Sequence, residues 1–189
     1  MKKSLGAKTL TPPTPVWIIG TYDKEGKPNL MTAAWVGICC SQPPCVGVSL
    51  RKATYTYGNI VERKAFTVSI PGEARVKECD YIGTATGKNV DKFARLKLTA
   101  VKSSIVDAPY VQEFPWVLEC RVIHTIEIGL HTEFVGEIMD VKVDSSVVNS
   151  RGLPDVGKIR PFLFDPANGT YYGVGADLGH AFSTGKSTR

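Results

Sequence analysis

Short apolar runs of strand length, each cut off by a turn signal, constrain this chain more than any other feature. VWIIGT (16–21) ends at a turn over 23–26, and NLMTAAWVGI (29–38) stops short of Pro43 and Pro44. CVGVSL (45–50) and AFTVSI (65–70) read as two further buried strands. Residues 116–127 and 133–143 alternate apolar and polar side chains, the pattern of half-buried strands. Segments at 163–164 and 171–174 predict a last short pair. Helical signals are fewer: 54–62 with Thr54 as N-cap, then 72–81 and 89–96 around a glycine-bearing loop at 83–87. The reading is a mostly β chain, a β-barrel with α-helical insertions. Periodicity alone does not choose a barrel over a sandwich.

The 189 residues fit a single domain spanning 1–189, with a core over about 14–182. Apolar residues at 43% and charged residues at 22% are those of an ordinary globular protein. No apolar run reaches the length of a membrane span. The first residues, MKKSLGAKTLTPPTP, lack the apolar block of a secretory signal, so the cytoplasm is the expected location. The five cysteines include no CxxC pair, and the three histidines do not cluster with them, so neither a disulfide framework nor a metal site is expected. All five cysteines read as small buried apolar residues, with Cys39 and Cys40 on opposite faces of a strand. A formal charge of +5 suits an anionic small ligand or an acidic partner; no nucleic-acid motif accompanies it. The tail over 179–189 is small and polar, and reads as loosely ordered.

Five segments offer chemistry. In NLMTAAW (29–35), small Thr32, Ala33 and Ala34 permit close approach of a flat ligand, Asn29 offers an amide and Trp35 an aromatic wall. In SLRKATYTYGN (49–59), Arg51 and the hydroxyls of Thr54, Tyr55 and Thr56 open a helix whose N-terminus favours phosphate. It lacks the glycines of a Walker or Rossmann loop. In YIGTATGKNVDKF (81–93), Lys88 and Lys92 stand i,i+4 and read as one helix face able to meet a second negative charge. In GLHTEFVGE (129–137), His131 precedes a strand and is the one candidate acid. In RPFLFDPANGTYYGVG (160–175), Phe164, Tyr171 and Tyr172 supply aromatic surface. Taken singly, each segment reads more readily as core or solvated surface than as a site. No GxSxG and no paired-carboxylate spacing occurs.

The order of these segments resembles the flavin reductase-like, FMN-binding split-barrel family, and within it the flavoredoxins. The residues that carry the resemblance are PVWIIGT (15–21), NLMTAAW (29–35), PPCVGVSLRKATYTYGNI (43–60), FTVSIP (66–71), YIGTATGKNVDKF (81–93), GLHTEFVGE (129–137) and YYGVG (171–175). The resemblance implies a six-stranded Greek-key split barrel forming a homodimer, with one FMN per subunit. It places Asn29, Thr32, Ala33 and Trp35 along the flavin, and Ser49, Leu50 and Arg51 at its ring and chain. Thr54 and Thr56 would hold ribityl or phosphate oxygens, with Lys88 and Lys92 at the phosphate or ring. His131 would lie by the flavin and a nicotinamide, and Phe164 near the ring. Leu130 stands where the family often has Asp, and a leucine cannot hydrogen-bond a ring or amide. Three functions stay open: an electron carrier served by a protein partner, an NAD(P)H:flavin oxidoreductase feeding a monooxygenase, and a non-redox flavin-binding barrel.

Overall fold

The computed structural model describes residues 1–188, with side chains through Lys186. β1 (Thr14–Pro15) leads into β2 (Trp17–Tyr22), β3 (Pro28–Ala33), β4 (Val36–Ser41) and β5 (Pro44–Arg51). α1 (Tyr55–Arg63) precedes β6 (Ala65–Ile70), and α2 (Val76–Thr84) and α3 (Lys92–Leu96) follow it. Next come β7 (Ala100–Lys102), β8 (Pro109–Val111) and the long hairpin β9 (Trp116–Ile128) and β10 (His131–Val143). α4 (Val156–Ile159), β11 (Phe162–Asp165) and β12 (Thr170–Gly173) close the fold. The tail carries one 3-10 turn, Thr184–Thr188, and is exposed through Lys186; Arg189 lies outside the described residues.

Seven strands form one antiparallel sheet in the order β3-β2-β6-β9-β10-β5-β4. β3 and β4 occupy its opposite edges, yet only residues 34 and 35 separate them in sequence. The sheet must curl until its edges meet. The Ser49 N–H donates to the Trp35 carbonyl at 2.9 Å beside this junction. Counting β3 and β4 as one bent strand gives the expected six-stranded barrel. The single run expected over 29–38 is therefore a bend with both its arms. Pro43 and Pro44 do not end the pairing; Gln42 and Pro43 turn a hairpin, and Ser41 pairs with Pro44.

Strands with both faces covered read as continuous apolar runs, because each face meets a different core. Ile19, Phe66, Val68, Leu118 and Phe134 fill the barrel. Ile18 and Leu30 point the other way, onto Cys79 and Ile82 of α2, Phe93 of α3 and Phe162 of β11. Every residue of β6 is buried; the outward Thr67 hydroxyl donates to the Pro109 carbonyl at 2.6 Å. Gly136 allows β10 to cross the barrel, since a Cβ there would stand 2.5 Å from Cζ of Phe66. The cysteine expectation holds in part. Cys45, Cys79 and Cys120 are buried, whereas Cys39 and Cys40 are exposed, because β4 is an edge strand whose outer half no described residue covers.

The helices follow their caps. α1 starts where the Thr54 hydroxyl accepts from the Tyr57 N–H at 3.3 Å, and ends at Lys64 with φ 53°. The Asp91 carboxylate accepts from the Ala94 N–H at 3.0 Å, so helix begins only at Lys92. Lys88 lies in the preceding turn, and the shared helix face expected for Lys88 and Lys92 does not form. No helix among the described residues is long and apolar enough to cross a membrane.

Candidate functional site

Two adjoining hollows run from the barrel rim to the helices. The rim hollow, about 150 Å³, is lined by residues 31–35 with Ser49, Arg51, Thr54 and His131. The helix-side hollow, about 230 Å³, is lined by Asn29, Met31, residues 53–56, residues 82–87 and Lys92. Met31 and Thr54 belong to both, so the two form one cleft.

Strand alternation sorts the rim residues. Arg51 pairs with His131 and Ser49 with Glu133, so these residues share one face of β5 and β10. Leu50 and its partner Thr132 face the opposite way. Leu50 is 1% exposed inside the barrel core, so its side chain is not at the ring position expected of it. Ala33 is buried against the same core and offers the cleft only a small surface. Trp35 is half-buried and forms a wall. The Thr32 hydroxyl lines the cleft but donates to the Cys79 carbonyl, tying β3 to α2. Among the described residues the Arg51 guanidinium makes no ion pair.

The helix side is a polar cradle. Asn29 Nδ2 donates to Thr56 Oγ1 at 3.0 Å, while Asn29 Oδ1 is buried without a hydrogen-bond partner. A Cβ on Gly87 would come within 2.0 Å of that same oxygen, so only glycine leaves this end of the cleft open. Lys92 Nζ donates to the Leu30 and Ile82 carbonyls, both at 2.7 Å. Burial lowers its pKa to about 8, because the charged form is removed from water without a carboxylate beside it. Tyr55 is fixed by donating its hydroxyl to Asp23 Oδ2 at 2.8 Å, a bond that helps push its pKa up to about 12. Arg63 in turn binds the Asp23 carbonyl, so α1 is held against the β2–β3 turn.

Lys88 is exposed and does not line the cleft. Phe164 is also not brought to it: its ring packs 5.6 Å from that of Tyr171, against the core between barrel and helices. Sequence reading missed Thr84 and Thr86 as lining residues. The TATG segment (84–87), hydroxyls flanking small residues after a helix, was the available signal.

The residues present fit a flavin mononucleotide. An orphaned buried acceptor suits a ribityl hydroxyl. The α1 N-terminus and Lys92 suit a phosphate, and the flat rim between Trp35 and Ser49 suits a ring. Residues 10–165 match the flavin reductase like domain, and the chain belongs to that family. Within it, the likeness extends to particular proteins. The structure of flavoredoxin from Desulfovibrio vulgaris (Miyazaki F) is 59% identical, with a TM-score of 0.94 over 98% of this chain and 100% of that one. Flavoredoxin from Methanosarcina acetivorans is 33% identical, with a TM-score of 0.92 over 100% of both chains. The reductase component of a 4-nitrophenol 4-monooxygenase/4-nitrocatechol 2-monooxygenase from Rhodococcus opacus is 29% identical over 124 residues, 66% of this chain and 63% of that protein.

Proposed function

We propose that this chain binds FMN in the cleft and transfers electrons as a flavoredoxin does, taking them from NAD(P)H or a reduced carrier and passing them to a downstream acceptor or free flavin. The observation that carries the reading is the buried, unpartnered Oδ1 of Asn29 facing a cradle kept open by Gly87. When bound, FMN supplies the redox chemistry. The chain's residues supply the rest. Asn29 and Thr56 orient the ribityl chain, and the α1 N-terminus and Lys92 hold the phosphate. Trp35 and Ser49 flank the ring, and Arg51 adds positive charge at the rim. His131, beside Arg51, donates a hydrogen bond to the ring edge and supports negative charge there.

A groove of about 660 Å³ adjoins the rim and shares Ala34, Trp35 and Ser49 with it. It gives a second molecule access to the ring. This favours, as second reading, an NAD(P)H:flavin oxidoreductase of the kind the Rhodococcus relative is named for. The purified protein, loaded with FMN and desalted, separates the two when NADH and NADPH are added without oxygen. A retained flavin spectrum that bleaches within seconds supports the oxidoreductase. A spectrum that responds to dithionite alone supports a carrier reduced by another protein. Flavin lost on desalting argues against a resident cofactor.

The working unit is a homodimer in this reading. Support comes from the tip of the β9–β10 hairpin, where β9 runs past its last β6 partner at Arg121 and presents Ile126, Ile128 and Leu130, 48 to 64% exposed. An unpaired apolar edge is a template for association.

A further inference from the structure

Outside the cleft, the cysteines of the β4–β5 hairpin form a cluster that flavin binding does not use. Cys40 and Cys45 are direct cross-strand partners, one step in from the Ser41–Pro44 pair that flanks the turn. Directly opposed residues on antiparallel strands project to the same face, with Cβ atoms about 4.5–5.5 Å apart. A disulfide needs about 3.5–4.5 Å. Each thiol donates to a carbonyl of the turn, Cys40 to Gln42 at 3.4 Å and Cys45 to Pro43 at 3.3 Å. Both sulfurs are thereby aimed at the same end of the hairpin. Their environments differ sharply: Cys40 is exposed, while Cys45 is 2% exposed.

We propose that Cys40 and Cys45 are a reversible dithiol–disulfide pair, oxidised by small-molecule disulfides that enter through Cys40. The Cys40 thiolate attacks one sulfur of RSSR. A Cys40–SR bond forms, the RS–SR bond breaks, and the first RS⁻ leaves. Cys45 then gives its proton to solvent and attacks the Cys40 sulfur, forming the intramolecular bond and expelling the second RS⁻. The pair loses two electrons and two protons, and RSSR becomes two RSH. Burial suits Cys45 to the second step only, since it reaches the neighbouring sulfur and not a solvent-borne disulfide. Cys39, the exposed neighbour, has no cross-strand cysteine, because the register slips between Ile38 and Cys40. A transient disulfide of this kind is the form expected inside cells.

The test uses the FMN-loaded full chain incubated with oxidised glutathione, then measured by intact mass and by fragment-ion mapping. The expected product has lost two hydrogens, carries no glutathione, and bears a bond between residues 40 and 45 that dithiothreitol removes. Cys39→Ser should give the same bond. Cys45→Ala should stop at one glutathione on Cys40, and Cys40→Ser should leave Cys45 unmodified. Cys79→Ser, in the separate core between barrel and helices, should react as the parent does. Retention of FMN and the circular dichroism spectrum show that each variant is folded. A stable glutathione adduct on Cys40 of the parent, a bond through Cys39, or an unreacted hairpin overturns the proposal.

Discussion

A lysine withdrawn from water without a carboxylate is costly, and Lys92 is held there by two backbone carbonyls. Two of its three N–H groups are used, which leaves one for a ligand. The sign of its pH effects follows. Because its pKa falls from 10.5 to about 8 on folding, the unfolded chain binds more protons between those values, and this group's contribution to stability rises with pH across that window. A bound phosphate acts oppositely, favouring the charged ammonium and drawing in a proton. FMN affinity should therefore weaken as pH rises above 8, by about tenfold for each pKa unit that phosphate restores. Fluorescence titration of FMN at pH 7 and pH 9 measures this; equal affinities would mean that Lys92 does not face the phosphate. Lys92→Met should bind more weakly and lose the pH dependence. His131→Ala belongs to the same scale. Stopped-flow reduction should slow by a larger factor than FMN affinity falls, and unchanged rates would remove the role given to that residue.

At the scale of elements, Thr54 joins fold to site. Its hydroxyl accepts from the Tyr57 N–H and donates to the Arg51 carbonyl at 2.9 Å, so it caps α1 and fixes the rim end of β5. Thr54→Ala should cost about 1 kcal/mol, seen as a melting point lower by about 2–4 °C. Gly87→Ala should displace the Asn29 amide and lose FMN, because a Cβ there would stand 2.0 Å from Asn29 Oδ1 and 2.8 Å from Cδ1 of Tyr55; undiminished binding would place the cofactor elsewhere. The strands and the capped start of α1 were legible in the sequence, since period-2 patterning and a Thr N-cap are local signals. Leu50 was half legible. Alternation puts it opposite in facing to Ser49 and Arg51, and the barrel places Ser49 and Arg51 at the rim. The burial of Lys92, the turning away of Phe164 and the exposure of Cys40 were not legible. A lysine buried on carbonyls, an aromatic turned to a second core and an uncovered edge strand depend on what packs against them, which no local pattern carries.

At the scale of the whole molecule, the exposed β9 edge is the feature that a single subunit leaves unresolved. Ile126→Lys should shift the protein toward monomer in sedimentation velocity at micromolar concentration, with little change in far-ultraviolet circular dichroism. A persistent dimer would place the interface on another face, and a monomeric parent would remove the dimer altogether. The other consequence lies in the bend at residues 34 and 35. There the two outermost strands are joined by chain rather than by rungs, so the circuit of backbone bonds that seals most of the barrel is interrupted where the cleft begins. FMN seated against residues 34 and 35, as proposed above, would bridge such a gap. Amide hydrogen exchange should then slow in β3 and β4 when FMN binds, while β6, already flanked on both sides, barely changes. On that outcome the ligand would be one of the pieces that shut the barrel as well as its cargo.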